Sequence, residues 1–432
     1  SWSSLISPSP ARARAGDGEM SEDHDDELGG DPRGRPRLRF PKRPERSAAG
    51  TPVEIRPPAM AGGTPRDAEA VAERIRTPGG LRAGLSALGA ATLGSVVTLL
   101  PGRRANDPWA GEDMWELGVD RGSMVAATDG VPLAVREAGP TDAPMTVVFV
   151  HGYTLSMDTW HFQRRHLADR FGSEIRMVFY DQRGHGLSGS GSRKNATIDQ
   201  LSRDLDTVIS ATTPTGPVVV IGHSMGGMTV MGFASRHPET VRERVLGVGL
   251  VSTAMAELSE AGLGSVLDNK SVARLAGLAG RSPGVFTSSR RALGAIISPF
   301  IYGGSFGDPA TVSPTVARFV DKLIASTDVL TIANFFETLT RHDESAAMPV
   351  LREVRTTVLC GDRDLLTPLD RSVDIVEELP DAEFVVVPGA GHMVMLEEPA
   401  HVSEVLGDLV ADAIMESRRL ERAGRADGSR IS

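Results

Sequence analysis

The chain has 432 residues, which is long for one domain and short for three, and its 40% hydrophobic and 24% charged residues are ordinary for a soluble globular protein. Its formal net charge of −10 offers no general basic surface, so we expect no nucleic-acid partner. A single cysteine, Cys360, excludes an intramolecular disulfide and a cysteine-based zinc site, and we expect it to be a small buried hydrophobe.

The first part of the chain is predicted to lack a core. Residues 1–66 are rich in Pro, Arg, Gly and Ser, a composition that predicts a disordered tail. Because the first residue is Ser1, both Met20 and Met60 are candidate natural starts. Residues 67–118 are predicted to form a helical or apolar linker to the folded part.

An uncharged stretch inside this linker raises the question of a membrane. Residues 83–100 just reach the length of a membrane span, but many of them are Gly, Ser, Thr and Ala. A span, a membrane-surface or packed helix, and no membrane role stay open as alternatives. We expect a cytoplasmic protein, with membrane association through this stretch as the alternative.

From residue 119 onward, predicted strands and helices alternate. The predicted strands are rich in apolar and β-branched residues and cover, in chain order, 124–128, 133–137, Met145–Val150, Ile175–Tyr180, 218–221, Val245–Val251, 354–360 and 384–387. The predicted helices are a stretch ending near Phe171, then 198–210, Met225–Arg236, 369–379 and 399–416. This alternation predicts an α/β fold with a mostly parallel sheet covered by helices on both faces. We assign the core to residues 119–252 and 351–416, and a polar tail to 417–432.

A helical insertion is predicted to interrupt the core. Residues 253–350 contain helical fragments without buried-strand runs, and we expect them to lie as a lid over the carboxyl ends of the strands. Residues 275–280 and 293–300 are largely apolar, which fits either an apolar part of a substrate or an ordinary helix core.

The most informative stretch lies at residues 217–228, where an apolar run is followed by Gly222-His223-Ser224-Met225-Gly226-Gly227. It predicts a strand, a tight turn with Ser224 at its tip, and a helix of small and apolar residues, which is how a serine nucleophile is presented. The same Gly-x-Ser-x-Gly pattern recurs around Ser305 without the strand and helix context, so we interpret Ser305 as a loop serine.

A serine nucleophile needs a base and a third group to orient that base. His392 follows the last predicted strand on a glycine-rich loop, whereas His401 is expected on the surface of the final helix. Asp362 and Asp364 both follow the 354–360 strand. We favour Asp364 because it lies farther past the strand, with Asp362 as the fallback.

The oxyanion formed in such a reaction needs hydrogen-bond donors. The Met225 N–H lies at a helix start, and the Tyr153 N–H follows a glycine-bent loop after the Met145–Val150 strand. We interpret His151, His185 and His223 as bracing or packing residues rather than catalytic ones.

Together these motifs resemble the α/β-hydrolase superfamily over about residues 119–415. The matching segments are His151-Gly152, Asp181-Gln182-Arg183-Gly184-His185-Gly186-Leu187-Ser188, Gly222–Gly227, Gly361-Asp362-Arg363-Asp364 with Pro368, and Gly391-His392. The pattern is most similar to bacterial lid-bearing serine esterases and lipases, the group that also contains cofactor-free haloperoxidase-like enzymes. The resemblance implies a small-molecule ester substrate, an acyl-Ser224 intermediate hydrolysed by water that His392 activates, and no cofactor or metal.

Other functions of this fold remain as alternatives. Epoxide hydrolases and haloalkane dehalogenases of the superfamily use an aspartate where Ser224 stands, and the predicted lid has one tyrosine, Tyr302, where epoxide opening usually uses two. A carbon–carbon bond hydrolase, an acyltransferase and a non-catalytic binding protein stay open. The substrate and the oligomeric state are not determined by the sequence.

Overall fold

The computed structural model describes residues 107–256 and 303–428, together with a two-residue strand at Glu54–Ile55. The apolar stretch 83–100, the apolar lid segments 275–280 and 293–300, and Tyr302 lie outside the described residues. The predicted tail 1–66 also lies outside them, apart from the two strand residues Glu54 and Ile55.

Nine strands form one sheet in the order β1-β9-β8-β7-β6-β4-β5-β3-β2. Their bounds are β1 Glu54–Ile55, β2 Arg121–Ala126, β3 Pro132–Ala138, β4 Met145–Val150, β5 Ile175–Tyr180, β6 Val218–His223, β7 Val245–Val251, β8 Thr356–Gly361 and β9 Glu383–Val387. Strands β4 to β9 pair in parallel, whereas β1, β2 and β3 pair antiparallel at the two ends. The predicted α/β architecture is confirmed.

The central strands are fully buried and mostly apolar because helices cover both faces of the sheet. The principal helices are α1 His161–Phe171, α2 Ile198–Thr212, α3 Met225–Arg236, α4 Pro238–Arg244, α5 Pro314–Ser326, α6 Val329–Arg341, α7 Met348–Leu351, α8 Leu369–Glu378, α9 Val394–Glu397 and α10 Pro399–Gly428. Helix α1 packs against α10, and α2 packs against α3.

The parallel register aligns the strand ends that carry the candidate site. Val150 at the end of β4 pairs with Gly222 of β6, Gly222 pairs with Leu250 of β7, and Val251 pairs with Leu359 of β8. The loops after these strands therefore meet at one edge of the sheet, where open α/β sheets bind their ligands.

Most predicted boundaries lie within three residues of those in the structure, and two differ by more. The last helix ends at Gly428 rather than at residue 416, so it includes most of the predicted polar tail. Packing also begins ahead of residue 119, because Trp109, Met114 and Leu117 are buried and the Trp109 ring lies 4.5 Å from that of Phe162. The described residues 107–118 therefore belong to the packed core rather than to a linker.

Helices α5 and α6 are the two long helices in the described part of the predicted helical insertion. Their first turns are capped by side chains: Ser313 accepts from the Val316 N–H, and Asp328 accepts from the Leu330 N–H. The Tyr153 hydroxyl donates to the Ile332 carbonyl at 2.5 Å, which joins α6 to the loop after β4. The Thr327 hydroxyl, directly after α5, donates to the Thr154 carbonyl at 3.1 Å in the same loop, so both helices lie against the carboxyl edge of the sheet.

Candidate active site

Ser224 lies in a strained turn between β6 and α3. Its backbone has φ 53° and ψ −121°, a conformation that is costly for a residue with a side chain. The turn is held by the Ser224 N–H, which donates to the Val251 carbonyl at 2.9 Å, and by Thr253, whose hydroxyl donates to the Ser224 carbonyl at 2.8 Å.

The glycines around Ser224 are required by close backbone approach. A Cβ on Gly222 would lie 2.5 Å from the Gly226 carbonyl oxygen, so the strand and the helix touch across the turn. A Cβ on Gly226 would overlap the carbonyl oxygen of Val150 at the end of β4. The Gly-x-Ser-x-Gly spacing at this turn therefore has a steric cause.

His392 and Asp364 are joined by a hydrogen bond on neighbouring loops. Nδ1 of His392 lies 2.8 Å from Oδ2 of Asp364, and both side chains are almost fully buried. Because a carboxylate only accepts, Nδ1 carries the proton and Nε2 of the neutral ring is left as an acceptor. Such a ring is able to take a proton from a hydroxyl group.

Asp364 is itself held by donors from its own loop. Oδ1 accepts from the backbone N–H groups of Leu366 and Thr367 at 2.8 and 2.9 Å. Oδ2 accepts from the Thr367 hydroxyl at 2.8 Å, and that hydroxyl also lies 3.2 Å from Nδ1 of His392. These hydrogen bonds fix the position of the carboxylate that contacts the imidazole.

The two candidate carboxylates, Asp362 and Asp364, have different partners in the structure. Asp362 is exposed, and its Oδ1 accepts from the Gly389 N–H at 2.6 Å. It therefore braces the loop that carries His392, whereas Asp364 contacts the imidazole itself.

One pocket brings Ser224 and His392 together, with Tyr153, Thr367 and Ser305 also in its wall. Its apolar lining is Leu155, Met228, Ile324, Leu339, Leu366 and Met393. Ile324 and Leu339 come from α5 and α6, so these two helices contribute to the wall of the pocket. His401, the alternative histidine on α10, is half-buried and does not line this pocket.

Ser305 has a different environment from the one its sequence context predicts. It is 2% exposed, lies in a short helical turn rather than an open loop, and lines the pocket. Its carbonyl oxygen accepts from the Met393 N–H at 2.9 Å, next to His392. The Gly-x-Ser-x-Gly match around Ser305 does not form a strand-turn-helix unit, but the fold places Ser305 in the same pocket as Ser224.

The loop after β4 is shaped by His151. Its Nδ1 lies 2.7 Å from the Gly152 carbonyl oxygen, and its Nε2 accepts from the Gln182 N–H at 2.9 Å. Burial, with His185 beside it, lowers the pKa of His151 to about 3, so the ring is neutral. Tyr153, the proposed source of an oxyanion donor, comes directly after Gly152 and lines the pocket, and Met225 is the first residue of α3 after Ser224.

The other two histidines near the site are also buried and neutral. Burial lowers the pKa of His185 to about 4, and burial together with His392 lowers the pKa of His223 well below its ordinary range. Nε2 of His223 donates to the His392 carbonyl oxygen at 2.9 Å. Nδ1 of His185 lies 3.0 Å from the Arg183 carbonyl oxygen, so both rings contact backbone.

Cys360 is a free thiol buried within β8, as expected, and burial raises its pKa to about 12. Within residues 107–256 and 303–428, no cluster of three His, Cys, Asp or Glu side chains is placed to hold a metal ion. Among the same residues, no helix is long and apolar enough to cross a membrane.

Glu397 is a buried carboxyl group next to the site that the sequence patterns did not indicate. Its carboxylate accepts from the backbone N–H groups of Gly391 and Gly307, each at 2.9 Å. Burial raises the pKa of this carboxyl to about 7. Glu397 thus ties the loop of His392 to the segment that follows Ser305.

Comparison with known proteins agrees with this architecture. A family model described as the alpha/beta hydrolase fold matches residues 146–399. A monoacylglycerol lipase of Mycolicibacterium smegmatis is 27% identical over 273 residues, which cover 60% of this chain and 84% of that protein. A proline iminopeptidase of Pestalotiopsis fici is 25% identical over 279 residues, covering 62% of this chain and 92% of that protein.

A solved structure shows the same likeness in three dimensions. The thermophilic esterase from Thermogutta terrifontis superposes with a TM-score of 0.54 at 24% identity, covering 68% of this chain and 99% of that one. At this level of identity the likeness concerns the fold.

Proposed function

The chain belongs to the α/β-hydrolase fold family, and on that premise we propose that it is a serine hydrolase that cleaves a carboxylic ester. Ser224 is the nucleophile, His392 the general base and acid, and Asp364 the residue that orients His392. The backbone N–H groups of Tyr153 and Met225 are the oxyanion donors. Within the family, the proposal includes membership in the group of bacterial esterases and lipases that carry a helical lid.

The proposed reaction has two halves. Oγ of Ser224 attacks the ester carbonyl carbon while Nε2 of His392 accepts the hydroxyl proton. The oxyanion receives hydrogen bonds from the two backbone N–H groups, each worth roughly 3–4 kcal/mol in the transition state. The ester C–O bond then breaks, His392 gives the proton to the leaving alcohol, and Ser224 remains acylated.

Water completes the cycle. His392 deprotonates a water molecule that attacks the acyl carbon, and collapse of the second tetrahedral intermediate releases the carboxylic acid and restores the Ser224 hydroxyl. Asp364 holds the protonated Nδ1 throughout and stabilises the imidazolium that forms in each half.

One observation gives this proposal its strongest support. The hydrogen bond of 2.8 Å between His392 and Asp364 lies beside a pocket into which a strained Ser224 also projects. A backbone strain of this kind persists where the surrounding structure enforces it, and such positions cluster at active sites.

The lining of the pocket supports an apolar acyl or alcohol part in the substrate. Six apolar side chains surround the two reactive groups, and two of them, Ile324 and Leu339, come from the helices over the sheet edge. A hydrocarbon chain placed there gains about 0.8 kcal/mol for each buried methylene group. The likeness to a monoacylglycerol lipase, whose substrate name includes an acyl chain, agrees with this.

A series of p-nitrophenyl esters tests the proposal. We expect kcat/KM to rise from acetate to butyrate to octanoate, because each added methylene group is buried against the lining. Leu339→Ala should lower kcat/KM for octanoate more than for acetate. The matched control is Leu330→Ala on the same helix, where the leucine is 38% exposed and a change should affect neither ester. Octanoate turned over no faster than acetate would contradict the apolar pocket.

A further inference from the structure

Gln182 is a fully buried amide between the two segments that carry the proposed oxyanion donors. It lies two residues beyond the end of β5, in the loop that begins with Asp181. Its backbone and both ends of its side chain make hydrogen bonds, and the mechanism described above uses none of them.

The backbone of Gln182 determines the tautomer of His151. The Gln182 N–H donates to Nε2 of His151, so the ring proton is on Nδ1, and Nδ1 donates to the Gly152 carbonyl oxygen. That carbonyl and the Tyr153 N–H belong to one planar trans peptide group, in which the C=O and the N–H point in opposite directions. The Tyr153 N–H is therefore directed away from the His151 ring.

The side chain of Gln182 joins the same loop to the helix after Ser224. Its Nε2 donates to the His151 carbonyl oxygen at 2.6 Å, and its Oε1 accepts from the Thr229 hydroxyl at 2.9 Å. Thr229 lies one turn along α3 from Met225, and its hydroxyl is also 2.9 Å from the Met225 carbonyl oxygen. One amide thus connects the loop of one donor to the helix of the other.

We propose that Gln182 is a positioning residue that sets the spacing of the Tyr153 and Met225 N–H groups. This inference rests on the proposed serine hydrolase function. The site requires a donor on one side and an acceptor on the other, which an amide supplies and neither a carboxylate nor an apolar side chain supplies. At 0% exposure, a lost hydrogen bond is not replaced by bulk water.

Gln182→Glu and Gln182→Met test the role of the side chain. Glutamate has the same shape as glutamine, but its ionised carboxylate places an acceptor oxygen opposite the His151 carbonyl oxygen, where the amide has a donor. We expect kcat at pH 8.5 to fall on the order of 100-fold, the typical cost of one misplaced oxyanion donor, with KM changed less than threefold. The methionine variant should lose a similar factor at every pH.

The glutamate variant should regain activity as the pH falls. Burial and the facing carbonyl favour the protonated carboxyl, which donates to His151 as the amide does. Titratable groups near this position include His151 on the β4 loop and His185 and Asp181 on the β5 loop, and the adjacent Arg183 is paired with Asp129 and Asp204. The two histidines are neutral above pH 5, and Asp181, whose pKa burial raises to about 7, titrates in both proteins. The ratio of variant to wild-type kcat should therefore rise at least fivefold between pH 8.5 and 5.5.

Gln163 provides a matched control. It is another fully buried glutamine whose Nε2 donates to a backbone carbonyl, that of Met395, at 3.1 Å. Gln163→Glu and Gln163→Met should lower stability. The ratio of their kcat to wild-type kcat, per active site counted by fluorophosphonate labelling, should not change with pH.

Thr229 keeps the inference testable if both Gln182 variants fail to fold. Thr229→Val removes the hydroxyl and should lower kcat about tenfold, whereas Thr229→Ser keeps it and should stay within threefold of the wild type. Any of three results would overturn the inference. Folded Gln182→Met could have a kcat within threefold of the wild type, the ratio of Gln182→Glu kcat to wild-type kcat could be independent of pH, or the two Thr229 variants could be equally active. A wild-type protein that neither hydrolyses esters nor accepts the label would instead overturn the proposed function.

Discussion

Nδ1 of His392 lies 2.8 Å from Oδ2 of Asp364, whereas Asp362, two residues earlier, accepts from the backbone of Gly389. Asp364→Asn should therefore lower kcat by about 10⁴-fold, because an amide at this position favours the wrong imidazole tautomer. Asp362→Asn is the matched control and should change kcat less than tenfold, since it weakens one hydrogen bond to the loop. Steady-state ester hydrolysis measures both, and equal losses for the two variants would contradict the assignment.

Gly226 allows α3 to approach the end of β4. Gly226→Ala places a Cβ against the carbonyl oxygens of Val150 and His151, both of which are backbone atoms that cannot rotate away. We expect the unfolding free energy to fall by about 2–3 kcal/mol, as in other overpacked sites. We also expect kcat to fall at least tenfold, because the loop after β4, which carries Tyr153, moves.

Gly118→Ala is the control for this substitution. A Cβ on Gly118 meets nothing within 4 Å, and the residue lies in a 3-10 helix at the start of the described core. Its unfolding free energy in urea should stay within about 0.5 kcal/mol of the wild type. A Gly226→Ala protein as stable and active as this control would show that the contact is not tight.

Glu397 should make stability depend on pH. Burial raises the pKa of its carboxyl in the folded protein to about 7, from an ordinary value near 4.5, so the folded protein holds the proton more tightly than the unfolded chain. The stabilising effect of this proton is complete below the unfolded pKa and is lost as the pH rises through about 7. From pH 4.5 to 8, this group should lower the unfolding free energy by roughly 3 kcal/mol.

Glu397→Gln removes this contribution because the amide does not titrate. Urea unfolding at pH 5 and pH 8 should give a flatter pH dependence for Glu397→Gln than for the wild type. Glu404→Gln on the exposed face of α10 is the control, and it should keep the wild-type slope. Parallel slopes for all three proteins would contradict a raised pKa for Glu397.

The parts of the fold that the sequence indicated correctly are those with local patterns. β4, β5, β7 and α3 have the predicted bounds, because continuous apolar runs and the small residues after Ser224 identify buried elements without knowledge of their neighbours. The end of α10 was missed because its last turns carry exposed charged residues, such as Arg419, that show no apolar periodicity.

The parts of the site that were missed depend on contacts between distant segments. Gln182 accepts a hydrogen bond from Thr229, and Glu397 accepts one from Gly307. Ser305 lines the pocket because its short helical turn packs beside Met393. Asp364 could be preferred over Asp362 from its distance past the strand, but the hydrogen bonds from Leu366 and Thr367 that fix it follow from the turn geometry.

A fluorophosphonate probe tests the central proposal most directly, because an activated serine displaces fluoride and keeps the phosphonyl group. The wild type and Ser305→Ala should each take up one label, located by peptide mass spectrometry on Ser224. Ser224→Ala should take up none, and its kcat for esters should fall on the order of 10⁶-fold. Labelling of Ser224→Ala at the wild-type rate, or ester hydrolysis by that variant within tenfold of the wild type, would contradict Ser224 as the nucleophile.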